Sequence, residues 1–301
     1  MSTRRSVWFS GARPRTLGAS VTPVVVGTAA AGHASVWRFV AALLVGLGLQ
    51  VGVNFANDYH DGVRGVDTAA RVGPPRLTSS GLASPRAVLT ASLVAILVAG
   101  VAGLVLAFAT TLWLVPIGAV AMVALWSYSG GPKPFAGLGL GEVMVFLFFG
   151  VMATAGTAFV QAETVSSAAW WSSAAMGFLA VAILVANNLR DIPTDEPAGK
   201  RTLAVRLGDR RTRLLYRACL AAAFVTVAAG VLLGIADERV GMSQWALLAL
   251  AAWVPAIRPM ERVGSANGRE LVEVLVGTAT VQVVFGALLA LGLWIAGATA
   301  A

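Results

Sequence analysis

The chain has 301 residues, 57% of them hydrophobic and only 12% charged, with a mean hydropathy of +0.79, which excludes an ordinary soluble domain and points to an integral membrane protein. The net charge of +8 does not indicate nucleic acid, because the basic residues gather in alternate connections between apolar runs instead of on one soluble face. A single cysteine, Cys219, set within an apolar run, excludes an intrachain disulfide framework and a thiolate metal site.

A helix needs roughly 20 apolar residues to cross a bilayer. Such helices are expected, in chain order, over 16–33, 37–56, 86–108, 111–128, 139–160, 170–190, 212–235, 243–258 and 271–297. The fold class is therefore all-α: one multi-pass membrane domain over 1–301, a bundle of about nine transmembrane helices. Arg4 and Arg5 followed by an apolar stretch mimic a secretory leader, but Arg13-Pro14-Arg15 directly before that stretch favours a retained first span. Of the 22 Lys and Arg, all except Arg38 and Arg239 lie in or beside the segments before span 1 and between spans 2 and 3, 4 and 5, 6 and 7, and 8 and 9. The positive-inside rule then places the N-terminus and the long connections, 57–85 and 191–211, in the cytoplasm, and the C-terminus outside. The membrane is the cell (cytoplasmic) membrane. The many glycines within the spans are read as packing positions, since small residues let helices approach closely in lipid.

The second span ends in Asn54-x-x-Asn57-Asp58-x-His60-Asp61-x-x-Arg64-x-x-Asp67. Charge at a membrane edge is costly and usually functional. The pattern recurs at the end of the sixth span as Asn187-Asn188-x-Arg190-Asp191-x-x-x-Asp195, with the same Asn-x-x-x-Asp spacing; i and i+4 share one helix face. The repeat divides the chain into two pseudo-equivalent parts, about 12–160 and 161–297. Paired carboxylate clusters with neighbouring amides suit hard divalent cations, which take one or two carboxylates and fill their shell with water and phosphate oxygens. Arg64, Lys133, Arg190, Lys200 and Arg201 supply cations that could stabilise a departing diphosphate. For a single acid of this kind, helix capping or a solvated turn is the alternative. Asp209 and Glu196 are read as solvated, and Glu142, Glu270 and Glu273, at span starts, as caps favoured by the helix dipole. His60 either faces water or transfers a proton.

These residues carry a resemblance. Asn54-x-x-x-Asp58-x-x-Asp61 with Asp67, and Asn187-Asn-Leu-Arg190-Asp191-x-x-x-Asp195-x-x-x-Gly199-Lys200-Arg201-Thr202, resemble the two aspartate-rich motifs of the UbiA superfamily of intramembrane aromatic prenyltransferases. Ala12-Arg13-Pro14-Arg15-Thr16-Leu17, Gly73-Pro-Pro-Arg76-Leu-Thr-Ser-Ser-Gly81, and Tyr128-Ser-Gly-Gly-Pro132-Lys133-Pro134-Phe135 with Gly139-Leu-Gly141-Glu142 are similar to the 1,4-dihydroxy-2-naphthoate polyprenyltransferase branch, which serves menaquinone synthesis. The resemblance covers residues 12 to about 210. It implies helices around a central cavity capped by the motif loops. It also implies Mg2+ and the diphosphate of an allylic polyprenyl donor held by Asn54, Asp58, Asp61, Asp191 and Asp195, with Lys133, Lys200 and Arg201 on the diphosphate. Asn57, Asp67, Tyr128, Glu142, Asn187 and Asn188 are further candidates for holding substrate. The implied partners are the polyprenyl diphosphate, an aromatic acceptor and the lipid bilayer, with no obligate protein partner. Phe135 stands where the branch carries Tyr, so no hydroxyl role is available there.

Two rivals are weaker. Asp58-x-x-Asp61-Gly62-x-Arg64 echoes the opening of phosphatidyltransferases acting on nucleotide-activated alcohols, but the downstream Gly-x-x-x-Asp-x-x-x-Asp is absent. A transporter would use the internal repeat, but its polar groups would sit near the midplane, whereas these acids gather at one face.

Overall fold

Serine, threonine and proline mark where helices begin. Ser84, Ser166 and Thr202 each accept a hydrogen bond from the backbone N–H three residues on, at 3.3, 3.2 and 3.3 Å, and Pro85 takes the first helical position, where its missing N–H costs nothing. The computed structural model describes residues 4–65, 76–130, 134–237 and 239–300. Among them every regular element is helical. In order these are α1 (Arg4–Gly11), α2 (Pro14–Ala30), α3 (Val36–Val63), α4 (Pro85–Ala109), α5 (Leu114–Ser129), a 3-10 turn (Phe135–Leu138) and α6 (Gly141–Val145). A π-helical stretch (Phe146–Met152) leads into α7 (Ala153–Ala162), α8 (Ser167–Asp195) and α9 (Leu203–Ala236); a 3-10 segment (Gln244–Ala252) then runs into α10 (Trp253–Arg262), followed by α11 (Glu270–Ala300). Six are long and apolar enough to cross a membrane: α3, α4, the continuous run Gly141–Ala162, α8, α9 and α11; Thr16–Ala30 and Leu114–Tyr128 are shorter apolar helices.

Helix ends depart from the expected spans where it matters most. α3 continues past residue 56 to Val63, and α8 past residue 190 to Asp195, so Asp58, Asp61, Asp191 and Asp195 stand on helical turns and not in loops. Hydropathy marks where the apolar run stops, but a helix stops only when its backbone is broken. On α3 the break comes at Gly65, in the left-handed region at φ 68°. Pro193 falls in the last turns of α8 without ending it. α9 starts at Leu203, earlier than the expected 212, with a kink at Gly208 (φ 73°).

Packing centres on α8, which runs along α9 and contacts α11 and the π-helical stretch. A Cβ on Gly150 would lie 2.4 Å from the Cα of Gly177, so both positions must lack side chains for these backbones to meet. α3 runs along α4. At the end of α3 remote from the acids, Arg38 donates to the carbonyls of Val160 (2.8 Å), Gln161 (3.2 Å) and Ala109 (3.3 Å) and to Glu163 (3.2 Å). Those carbonyls belong to the last turns of α7 and α4, which have no helical partner of their own. Arg38 thus ties three helices together.

Candidate active site

The first motif owes its shape to Asp58. This carboxylate is 2% exposed, and its two oxygens accept the backbone N–H groups of Leu77 (2.8 Å) and Thr78 (2.9 Å). The returning segment is thereby held against α3 and brings the Arg76 guanidinium to 3.5 Å from Asp61 Oδ2. The second motif uses backbone geometry instead. After α8, Gly199 adopts φ 74°, and the N–H of Lys200 donates to the Asp195 carbonyl at 2.9 Å. That tight return puts the Lys200 ammonium 3.6 Å from Asp195 Oδ1 and 4.0 Å from Asp61 Oδ2. One lysine therefore joins the acid of one motif to the acid of the other.

Behind it, Arg190 clamps Asp191 through two hydrogen bonds of 2.7 Å and donates to Asn187 Oδ1 at 2.8 Å. Planar guanidinium and carboxylate match in this bidentate form, which fixes the carboxylate's orientation. Asn54 is similarly committed: it donates to the Ala12 carbonyl (3.0 Å) and accepts from Gln50 (3.4 Å).

Below these groups opens a cavity of about 1030 Å³. Of the residues the sequence singled out, Asn54, Asn57, Asp61, Arg64, Tyr128, Asn187, Asn188, Asp191, Asp195 and Lys200 line it. Asp58, Glu142, Arg190 and Arg201 do not: Asp58 and Arg190 act on neighbours from behind, and Arg201 is exposed. Asp67 and Lys133 lie outside the described residues. His60 packs edge-on against Trp126 with ring centroids 4.8 Å apart and is not in the lining. The capping expectation holds for Glu270, whose carboxylate accepts the Asn267 N–H at 3.0 Å. Glu142 stands in the first turn of α6, as expected, and its carboxylate also reaches across the bundle to accept from Asn188 Nδ2 at 3.0 Å.

Among the described residues, no three of His, Cys, Asp and Glu form a complete metal cage. A cation that takes one or two carboxylates and completes its shell with phosphate oxygens and water needs no such cage. The residues fit one: Asp61, Asp191 and Asp195 line the same cavity, and Asp195 Oδ2 is buried with no hydrogen-bond partner. Such an orphaned oxygen is costly unless something binds it.

A match to the UbiA prenyltransferase family model extends over residues 20–270. The chain belongs to the UbiA prenyltransferase family. It is 46% identical over 282 residues to the 1,4-dihydroxy-2-naphthoate octaprenyltransferase of Mycobacterium tuberculosis, spanning 92% of this chain and 93% of that one. The enzyme of the same name from Bacillus subtilis is 30% identical, with 94% and 90% covered. Among solved structures, the fold matches a UbiA homolog from Archaeoglobus fulgidus bound to GPP and Mg2+ (TM-score 0.65, 15% identity, 94% of this chain and 99% of that one). It also matches an apo UbiA homolog from Aeropyrum pernix K1 (TM-score 0.66, 17% identity, 96% and 98%). As a UbiA family member, the chain is an integral membrane prenyltransferase.

Several lining groups escaped the sequence reading. Gln50 lies one turn before Asn54, within an apolar run, and joins Ser20 (3.4 Å) and Thr16 (3.5 Å) across to α2. Arg13 and Arg76, which belong to the stretches carrying the resemblance but are not read there as site residues, also line the cavity. Isolated polar residues inside hydrophobic spans were the available signal for Ser20 and Gln50.

Proposed function

We propose that the chain transfers a polyprenyl group from an allylic polyprenyl diphosphate to 1,4-dihydroxy-2-naphthoate, with loss of carbon dioxide and diphosphate, in menaquinone biosynthesis. The observation that carries this reading is the convergence of Asp61, Asp191, Asp195 and Lys200 at one apolar-walled cavity. The octaprenyltransferase relatives, matched over nearly their whole length, supply the acceptor. An acceptor of another aromatic class is the alternative within the family.

In this reading Asp61, Asp191 and Asp195 hold Mg2+, with Asn57 Oδ1, a buried oxygen without a hydrogen-bond partner in a residue lining the same cavity, available beside them. When bound, Mg2+ supplies the positive charge that neutralises the departing diphosphate. Lys200, Arg64 and Arg76 bind diphosphate oxygens from the same mouth. Arg190 orients Asp191, and Asp58 holds Arg76 in place through the Leu77 and Thr78 amides. The carbon–oxygen bond of the donor breaks with its electrons going to diphosphate. The allylic cation left behind is kept from water by the apolar walls until the electron-rich ring attacks it. The new carbon–carbon bond forms at the carboxylate-bearing carbon, from which carbon dioxide then leaves, its bonding pair restoring the aromatic ring. The polyprenyl tail lies among the apolar helices.

Nine membrane crossings complete the architecture. The six long helices are joined by the shorter apolar helices Thr16–Ala30 and Leu114–Tyr128 and by the segment from Gln244 to Arg262. The whole chain acts as one domain with two pseudo-equivalent parts, and its charge distribution supports a cytoplasmic N-terminus and site. Membranes containing the chain, supplied with Mg2+ and labelled farnesyl or longer diphosphates, are expected to prenylate 1,4-dihydroxy-2-naphthoate in preference to hydroxybenzoate or homogentisate. Preference for another acceptor would overturn the assignment while leaving prenyl transfer intact.

A further inference from the structure

One turn further into the bundle than Asp191, the cavity wall changes chemistry. Asn188 lines the cavity yet is only 8% exposed, and its amide nitrogen is committed to Glu142 Oε1 at 3.0 Å. Glu142 is itself 7% exposed, and its other oxygen, Oε2, is buried without a hydrogen-bond partner. A buried carboxylate in this condition is expensive to keep. What it accomplishes is directional. A carboxylate accepts hydrogen bonds, so it draws the nitrogen of the Asn188 amide towards itself and leaves the carbonyl oxygen as the group offered to the cavity. Tyr128, also in the lining, stands beside this corner; its hydroxyl would be 3.4 Å from a Cβ at Gly141, the residue preceding Glu142.

An acceptor oxygen at this depth discriminates between the two substrates. Diphosphate oxygens only accept hydrogen bonds and gain nothing from the Asn188 carbonyl. A ring hydroxyl donates. We infer that Glu142, Asn188 and Tyr128 form the seat of the aromatic acceptor: Asn188 Oδ1 takes a hydrogen bond from a ring hydroxyl, and Glu142 is the positioning residue that fixes the amide for this purpose. The inference rests on reading the cavity as the prenyl-transfer site. It adds that the acceptor lies on the α6 and α8 side, one helical turn below the acids.

The test uses the full-length chain in lipid vesicles with Mg2+, varying the polyprenyl diphosphate and 1,4-dihydroxy-2-naphthoate independently. Turnover by the unaltered chain checks the underlying reading, and its absence would overturn both. Asn188→Leu is expected to raise the KM for the naphthoate about tenfold or more, and the near-isosteric Glu142→Gln about threefold or more, while the KM for the diphosphate stays within about twofold. Monomethyl ethers of the naphthoate are measured as competitive inhibitors alongside. The unaltered chain is expected to bind at least one of the two about tenfold more weakly than the parent, and Asn188→Leu to reduce that difference to about twofold. A turnover-competent chain whose variants shift the diphosphate KM as much as the naphthoate KM, or keep the full discrimination against the ethers, would overturn the inference alone.

Discussion

Asp61 on α3 and Asp195 on α8 meet at a single ammonium, that of Lys200, at 4.0 and 3.6 Å. Neither distance is a short ion pair. The lysine sits between two carboxylates that repel each other, in a cavity mouth where two further cations, Arg64 and Arg76, are also present. Replacing Lys200 with Met removes the balancing charge and, in the proposed reading, a diphosphate contact. We expect kcat/KM for the polyprenyl diphosphate to fall about 10²-fold, within the range seen when one preorganised electrostatic group is lost. Lys200→Arg should recover part of it. Initial rates at varied donor concentration check this.

Asp58 and Asp61 lie one turn apart, and their deletions should separate cleanly. Asp58 accepts two backbone N–H groups with both oxygens. Asp58→Leu strands those amides and releases the segment carrying Arg76, so it should cost about 1–3 kcal/mol per stranded group and lower the thermal transition in detergent. Asp61→Asn removes a charge crowded by Asp195. It also takes the carboxylate away from the buried Arg76 guanidinium, so its transition should fall as well, but by less than that of Asp58→Leu because the isosteric amide keeps an acceptor oxygen there, while activity drops at least about 10²-fold.

How far the sequence revealed this site depends on the range of each contact. The i, i+4 spacing of Asn54 with Asp58, and of Asn187 with Asp191, is local and could be read directly. The ends of α3 and α8 could not, because the apolar run stops before the helix does, and nothing breaks the α3 backbone until Gly65. The spacing of Asp58 suggests a ligand, and its carboxylate contacts the Leu77 and Thr78 amides on a segment that returns from elsewhere, which no local spacing encodes. The Glu142 to Asn188 bond joins α6 to α8, and no spacing in the chain encodes it. Position alone places Glu142 at the start of α6 and says nothing of its reach to α8.

The far end of the bundle provides a control. Arg38 joins the C-terminal carbonyls of α4 and α7 and meets Glu163. Arg38→Ala should destabilise the protein by about 1–3 kcal/mol, because carbonyls at helix ends lose their donor. The exposed Glu163 pair itself contributes little. KM for both substrates should be unchanged. Thermal denaturation together with steady-state kinetics separates the two effects.

Gly177 tests the packing of α8 against the π-helical stretch. Its Cβ would lie 2.7 Å from the Phe146 ring. Gly177→Val should cost about 1–3 kcal/mol by overpacking, and Gly177→Ala less. Loss of yield or of thermal stability in detergent, graded with side-chain size, is the expected result.

The central claim is that the two acidic jaws act on one metal-bound diphosphate. Its most direct test is to follow diphosphate release and prenyl-naphthoquinol formation together in vesicles, with and without a chelator, for the unaltered chain and for Asp195→Asn. We predict one diphosphate released per prenyl group transferred, abolition by the chelator with recovery on adding Mg2+, and at least a 10²-fold loss in the variant. Undiminished transfer in the presence of chelator, or full activity of Asp195→Asn, would contradict the account.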